Sequence, residues 1–512
     1  MELERSKENI FVMSGKVKVL FNSGLYTLSS LLIKAFGFLL LPVYTMFLTP
    51  EDYGITNMVN GFNSVVMFVV GFSLYSAVVR FYTDYKEDRE KLKEFYGTIV
   101  IFVFLSGSIF TGLGFILQKL LISWFFKGIA FYPIIVIALI ILTFDCLYNV
   151  HQCIMQGMQL GKKLTIRNLT VFGFQVGCTL LFIGVFKLGA VGVLLATLSM
   201  LICYFIYMIF DLKSNDLITF CINKSLLHKA LRYSIPLMPH SLSTSIATFA
   251  SRVFINNNWS LSSVGLYSVA SQFGNIIDTV QASANQAFSP WFYDVMTHGD
   301  DNTGKEIVDL SRLLIILYSI FYIVIGLFSQ EVIILMTDER YVMAWTAVPI
   351  LVMAFSVKSI YYFYVNVLFY YKEAARKIFI ATIIGSLADI ILAYIIVPVY
   401  GMYGAAVAFL NAKIIVTTIV IVMSKRYKDI GYKVTEMLKI VIPSLLFMGA
   451  GLYFSYTKYM TVFSWGNLLY KFGVVGIYLG FLYFTNRKMI NKIIKTGQYQ
   501  IKKFFLTKGI FQ

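Results

Sequence analysis

GAVGVLLATLSMLICYFIYMIF, residues 189–210, carries no charged side chain and matches the roughly 20 apolar residues an α-helix needs to cross a bilayer. A barrel strand would read as about 10 residues of alternating polarity, whereas this run is continuous and predicts a helix. Comparable runs lie near 22–48, 54–79, 95–117, 131–152, 164–186, 235–256, 264–289, 310–336, 343–371, 377–397, 401–423, 437–458 and 465–485, so that about fourteen spans are expected. Composition agrees: 58% of the residues are hydrophobic and 13% charged, and the mean hydropathy is +0.75, far from soluble-domain values. The expected fold class is an all-α integral membrane protein.

The run at 189–210 also has an echo. Gly189, Gly192, Ala196 and Leu198 recur as Gly401, Gly404, Ala408 and Leu410, a shift of roughly 212 positions. Gly54, Phe62, Phe81 and Tyr82 recur as Gly265, Phe273, Phe292 and Tyr293 at a shift of roughly 211, and two blocks in nearly one register point to an internal duplication. A shift of six spans is even, so both copies keep one orientation and form a parallel repeat about an axis along the membrane normal. This predicts two six-helix lobes, 1–215 and 222–424, facing each other across a central cavity. Two additional spans (437–485) and a basic cytoplasmic tail (486–512) follow. The lobe linker, with Lys224, Leu226, Leu227, Leu231 and Arg232 in an amphipathic pattern, is expected on the inner membrane surface.

The net charge of +17 does not imply a nucleic-acid partner, because the position of the cations decides its meaning. Roughly 33 Lys and Arg fall on the termini and every second loop against about 5 on the other side, and the positive-inside rule makes the richer side cytoplasmic. Both termini are therefore expected in the cytoplasm. The densest groups, Arg80 to Lys93, Lys425 to Lys439 and Arg487 to Lys508, also suit contact with anionic head groups. Residues 1–21 lack the apolar core of a cleavable signal, so the first span is expected to act as an uncleaved anchor.

Ionised groups at membrane depth are costly and normally face protein or water. Lys34, Lys358 and Lys413 fall near the middle of predicted spans, Arg252 toward the outer part of the seventh, and Arg80 at the inner end of the second. Spread over both lobes, they are read together as one cationic cavity that binds an anionic substrate. Asp145, Asp278 and Asp389 stand against them as ion-coupling groups or charge partners. Lys471 is expected to snorkel outward. Tyr361, Tyr362, Tyr364, Tyr370 and Tyr371 form a row able to stack on sugar rings if it faces the cavity.

Other chemistry is not supported. No GxxxxGK[ST] loop or HExxH spacing is present, and His151 and His240 read as hydrogen-bonded structural groups. The five cysteines form no CxxC pair, so neither a disulfide framework nor a metal site is expected, and no cofactor is implied. The longest outer loop, 118–130, is too small for a catalytic domain.

Several segments carry a more specific message: LTPEDYG (48–54), SAVVRFY (76–82), LRYSIPLMP (231–239), SSVGLYSVA (262–270), AFSPWFY (287–293) and PVYGMYGAAVA (398–408). In this order and spacing the chain resembles the bacterial polysaccharide repeat-unit flippases of the Wzx type. Their superfamily also contains the lipid II flippases and the multidrug and toxin extruders. The resemblance implies a twelve-helix two-lobed core plus two helices in the bacterial cytoplasmic membrane. Such a protein moves undecaprenyl-pyrophosphate-linked oligosaccharide to the outer leaflet for O-antigen, capsule or exopolysaccharide assembly, alongside polymerase and export proteins. A pyrophosphate head group needs fixed cations to leave the interface, which suits the intramembrane Lys and Arg residues. Many relatives carry an acidic residue just before the seventh-span Arg; Ser251 stands there, so no ion pair is carried over at that point. The alternatives are a cation-coupled multidrug extruder on the same fold and a multi-pass polymerase or glycosyltransferase.

Overall fold

The computed structural model describes residues 32–299 and 303–507, so the start of the first span and the expected anchor segment lie outside the described residues. Every regular element among them is helical. The main helices are α1 (Leu32–Phe47), α2 (Pro50–Val70), α3 (Leu74–Tyr85), α4 (Arg89–Ile116), α5 (Phe131–Gly157), α6 (Gly161–Val185) and α7 (Gly189–Ser214). They are followed by α8 (Lys224–Ser234), α9 (Met238–Asn258), α10 (Leu261–His298), α11 (Thr303–Met336) and α12 (Glu339–Tyr370). The last three are α13 (Ile378–Tyr427), α14 (Val434–Gly451) and α15 (Trp465–Thr507).

By length and apolarity, nine helices among the described residues can cross a membrane, or ten with α2 and α3 taken as one bent span. The expected second span is not one straight helix: the chain turns by 46° between α2 and α3. Phe72 and Ser73 take left-handed φ values of 47° and 52° there, which no α-helix accommodates. The expected eleventh and twelfth spans run together in α13 across a break at Gly401, whose φ is +54°. The expected seventh and eighth spans, α9 and α10, have spanning length but are absent from the apolar set. In α9, Ser241, Ser243, Thr244, Ser245, Thr248 and Arg252 lower the apolarity.

The described residues form two compact units. The first holds those up to Gln272 together with Met336–Tyr341 and Arg376–Val416. Its centre is α5, against which α2, α3, α4 and α7 all pack. Gly107 and Gly114 lie directly against Thr143 and Leu139, and Thr111 donates to the Leu139 carbonyl at 2.9 Å. Small residues and interhelical hydroxyl bonds are what hold helices together where water-driven apolar association is absent.

The duplicated blocks share local geometry within this unit. Thr49 caps α2 by accepting from the Asp52 N–H at 3.1 Å, and Ser260, 211 positions on, accepts from the Ser263 N–H at 3.1 Å. Gly54 lies against the Leu261 carbonyl, and Gly265 against the Pro50 carbonyl. Gly189 and Gly401 both have φ of +54°, the left-handed region that a side chain strains to adopt. Asp52 Oδ1 accepts from the Ala190 N–H at 3.1 Å, at the start of α7, and Trp259 Nε1 donates to the Val397 carbonyl at 3.0 Å.

The linker helix α8 is capped by Asn223, whose Oδ1 accepts from the Ser225 and Leu226 N–H groups, and it buries Leu226 and Ala230. Ahead of it, the Thr219 carbonyl presses on Gly97 of α4, where only a hydrogen fits.

The second unit holds Phe273–Leu335, Val342–Ala375 and the described residues from Thr417 onward. Buried polar bonds tie it together. Gln281 donates to the Tyr322 hydroxyl at 2.8 Å and to the Phe355 carbonyl at 3.0 Å, and the Tyr478 hydroxyl donates to Ser319 Oγ at 2.6 Å. Lys471 does not snorkel. Its side chain is wholly buried, 2.7 and 2.8 Å from the two Glu331 carboxylate oxygens, and it also donates to Gln330 Oε1 and the Leu327 carbonyl. Glu331, on α11, supplies the countercharge that makes burial preferable to reaching the interface. α15 breaks at Asn486 and continues as helix to Thr507.

Candidate functional site

The polar helix α9 carries Arg252. Tyr53 from α2 and Tyr267 from α10 lie within electrostatic reach of its guanidinium. Tyr53 itself is buried, and Asn57 Nδ2 donates to its backbone carbonyl at 2.8 Å. Arg252 Nη1 donates to the Thr248 carbonyl at 3.2 Å, one turn back, while its buried Nε has no hydrogen-bond partner among the described residues. Ser251 returns its hydroxyl to the Ala247 carbonyl and offers the arginine nothing. A guanidinium partly removed from water with an unsatisfied N–H is a strong acceptor-seeking group.

Two further sequence candidates meet on α13. Asp389 and Lys413 lie on opposite sides of the Gly401 break, each 12 residues from it, so the chain reversal brings them to similar depth. Asp389 is 5% exposed, within electrostatic reach of Lys413 and Tyr267, and its Oδ1 has no hydrogen-bond partner among the described residues. Lys413 also lies over the Phe409 ring, 4.5 Å from its centre. Arg252, Tyr267, Asp389 and Lys413 thus form one connected electrostatic group in the first unit.

In the second unit, Lys358 on α12 pairs with Asp278 on α10 at 2.5 Å. The Tyr362 hydroxyl donates to the same carboxylate at 3.4 Å, and the Lys358 ammonium lies over the Tyr362 and Phe355 rings. The tyrosine row divides accordingly. Tyr364 is buried and donates to the Tyr432 carbonyl, Tyr371 stacks on Tyr427, and Tyr370 donates to the Met296 carbonyl. Of the row, Tyr362 is bonded into the ion pair, with the Tyr361 ring 5.8 Å away.

The remaining candidates stand apart. Arg80 is half-exposed and pairs with Asp84 at 2.7 Å along α3. Lys34 is exposed on α1. The Asp145 carboxylate, on α5, accepts a long 3.5 Å contact from Asn149, which also donates to the Asp145 backbone carbonyl at 2.8 Å.

Sequence reading missed a buried group at the ends of α5, α6 and α7. His151 Nδ1 lies 2.8 Å from the Tyr204 hydroxyl, its Nε2 3.3 Å from Asp211 Oδ2, and Lys163 donates to Asp211 Oδ1 at 2.7 Å. Arg167, 7% exposed, joins through Nη1, 3.2 Å from His151 Nδ1. Lys163 and Arg167 follow each other by one helical turn at the edge of a span, which reads as a topology signal. The matching His151 and Asp211 on flanking spans were the available clue.

Fold and charges together define a multi-pass helical membrane protein with ionisable groups held in or beside its spans. The family described as polysaccharide biosynthesis protein matches residues 19–296, more than half of the chain, and the chain belongs to that family. It is 23% identical to the Lsg locus putative protein 1 of Haemophilus influenzae (strain ATCC 51907 / DSM 11121 / KW20 / Rd) over 361 residues, 70% of this chain and 86% of that protein. The fold is similar to that of the lipid II flippase MurJ in its inward closed conformation, with a TM-score of 0.67 and 18% identity over 91% of this chain and 99% of that one. It is also similar to an inward-facing multidrug resistance MATE family transporter of the MOP superfamily, with a TM-score of 0.57 and 16% identity over 75% and 92% of the two chains. At these identities the two solved structures define the fold alone.

Proposed function

We propose that this protein is a flippase that carries undecaprenyl-pyrophosphate-linked oligosaccharide repeat units from the inner to the outer leaflet of the bacterial cytoplasmic membrane. It makes and breaks no covalent bond. The family places the chain in polysaccharide assembly, and a fold shared with a lipid II flippase supports translocation of a lipid-linked sugar. The observation that carries the reading is Arg252, a guanidinium on a polar span with a buried N–H that has no acceptor among the described residues. A pyrophosphate oxygen satisfies that demand with a charge-assisted bond. Lys413 and Lys358 add positive charge, and Lys34 and Arg80 attract the head group before it enters. In this reading the lobes 1–215 and 222–424 alternate access, both termini are cytoplasmic, and a polymerase takes up the delivered unit.

The test is translocation in proteoliposomes. Purified protein is reconstituted with fluorescent undecaprenyl-pyrophosphate-linked oligosaccharide, and exposure of the sugar to an external lectin is followed over time. Protein-dependent exposure, lost in Arg252→Gln, supports the reading; exposure at the rate of empty vesicles overturns it. A second reading, a cation-coupled multidrug extruder, draws on the buried Asp389 carboxylate. Ion-gradient-driven dye efflux without lipid translocation would favour it.

A further inference from the structure

The faces of α6 and α7 that meet near the His151 group enclose a groove of about 490 Å³, within the size range of small-ligand sites. α6 contributes Lys163, Arg167, Thr170 and Phe174, spaced along one helical face, and α7 contributes Cys203, Tyr204 and Tyr207. Ile166 and Phe174 are 56% and 46% exposed, so the groove opens sideways to the surroundings of the bundle. Its wall is apolar except at one end.

That end is built around Arg167. The residue is nine-tenths buried, its guanidinium lies 5.3 Å from the centre of the Tyr204 ring, and Nη1 contacts His151 Nδ1 and Met155 Sδ. Nε and Nη2 are buried without a hydrogen-bond partner among the described residues. The nearby carboxylate does not serve them: Asp211 is engaged by Lys163 and His151. A buried guanidinium with two unsatisfied N–H groups and no carboxylate of its own is costly unless an anion completes it. Lys162, Lys163 and Lys213 mark this end as cytoplasmic by the positive-inside rule.

We propose that the groove binds an anionic phospholipid of the cytoplasmic leaflet. Its phosphodiester accepts from Arg167 Nε and Nη2, Lys163 adds positive charge, and an acyl chain lies along Phe174 and Tyr207. An apolar groove opening sideways ahead of a phosphate-seeking fork fits a lipid, whereas a free anion needs no such groove. This site is separate from the Arg252 group and does not depend on what the protein transports.

Native mass spectrometry of the full chain from nanodiscs of phosphatidylcholine, with or without phosphatidylglycerol, tests the assignment. Retained phosphatidylglycerol is expected, with apparent affinity about tenfold lower in Arg167→Gln, the scale of losing charge-assisted bonds. If that variant fails to fold, Thr170→Trp decides: it fills the groove from an exposed position, leaves the His151 group intact and should also expel the lipid. A rise in Tm with phosphatidylglycerol, absent with phosphatidylcholine or inorganic phosphate, is expected in the wild type. Equal retention of both lipids, unchanged binding in Thr170→Trp, or an equal Tm rise with inorganic phosphate would overturn the proposal.

Discussion

Gly54 and Gly265 face each other's helix starts: the Leu261 carbonyl fills the space of a Gly54 side chain, and the Pro50 carbonyl does the same to Gly265. Such a reciprocal contact is the signature of a two-fold relation between similar segments. A methyl group at either site must push backbone apart, so Gly54→Ala or Gly265→Ala should each cost about 1–3 kcal/mol. A Cβ added at Gly112 or Gly449 meets no packing neighbour within 4 Å among the described residues, and alanine there should be neutral or stabilising. Thermal unfolding in detergent distinguishes the two classes.

Lys471 and Glu331 form a buried pair, and breaking it from one side leaves an uncompensated charge. Lys471→Met or Glu331→Gln alone should cost about 3–5 kcal/mol. The double variant should recover most of that loss, because no ion then remains buried. A double variant as unstable as the singles would mean that the bonds to Gln330 and the Leu327 carbonyl dominate instead.

What the sequence disclosed follows from what each signal depends on. Glycine spacing at shifts of 211 and 212 was legible because close backbone approach demands glycine and left-handed turns favour it, wherever the helices go. Among the described residues apolar length accounts for nine spans, or ten with the bent pair, but it did not show the bend at Phe72 and Ser73, where two non-glycine residues take left-handed φ values. Lys358, Asp278, Lys413 and Asp389 were all visible as charges within long apolar runs. Which cation meets which carboxylate is a tertiary fact, and Lys471 finds Glu331 140 positions away. Arg167 was hidden because a cation at a span edge looks the same whether it meets water or a buried histidine.

Lys358 and Asp278 test whether the second unit's cation serves substrate or structure. On the proposed reading Lys358→Met should lower translocation roughly tenfold or more, the scale of one lost hydrogen bond to a charged group. If Lys358 only neutralises Asp278, the paired variant Lys358→Met with Asp278→Asn should restore transport. If it meets the pyrophosphate, the paired variant should stay defective while its Tm recovers. Rates in proteoliposomes, read beside thermal unfolding, separate these outcomes.

Among the described residues the Arg252 side chain hydrogen-bonds to the Thr248 carbonyl of its own helix alone, so its removal should barely touch stability. Arg252→Gln should leave unfolding within about 0.5 kcal/mol of wild type. Translocation should fall roughly 10- to 100-fold, the value of a lost hydrogen bond to a charged group. Arg252→Lys keeps the charge but loses the planar fork, and should fall between the two. A lysine variant no better than glutamine would show that geometry outweighs charge here.

On the proposed reading Asp389 couples transport to an ion: it is buried, its Oδ1 lacks a hydrogen-bond partner among the described residues, and Lys413 lies within electrostatic reach. A proton or cation that neutralises it also releases its hold on the lysine, which changes the field felt by an anionic head group. Asp389→Asn should therefore translocate at one rate with or without an imposed ion gradient, whereas wild type speeds up when the gradient is applied. If Asp389 is merely the countercharge of Lys413, removing both charges with Asp389→Asn and Lys413→Met should bring back the response to the gradient. If it carries the ion, the double variant stays unresponsive, because neutralising the lysine cannot replace the lost binding group.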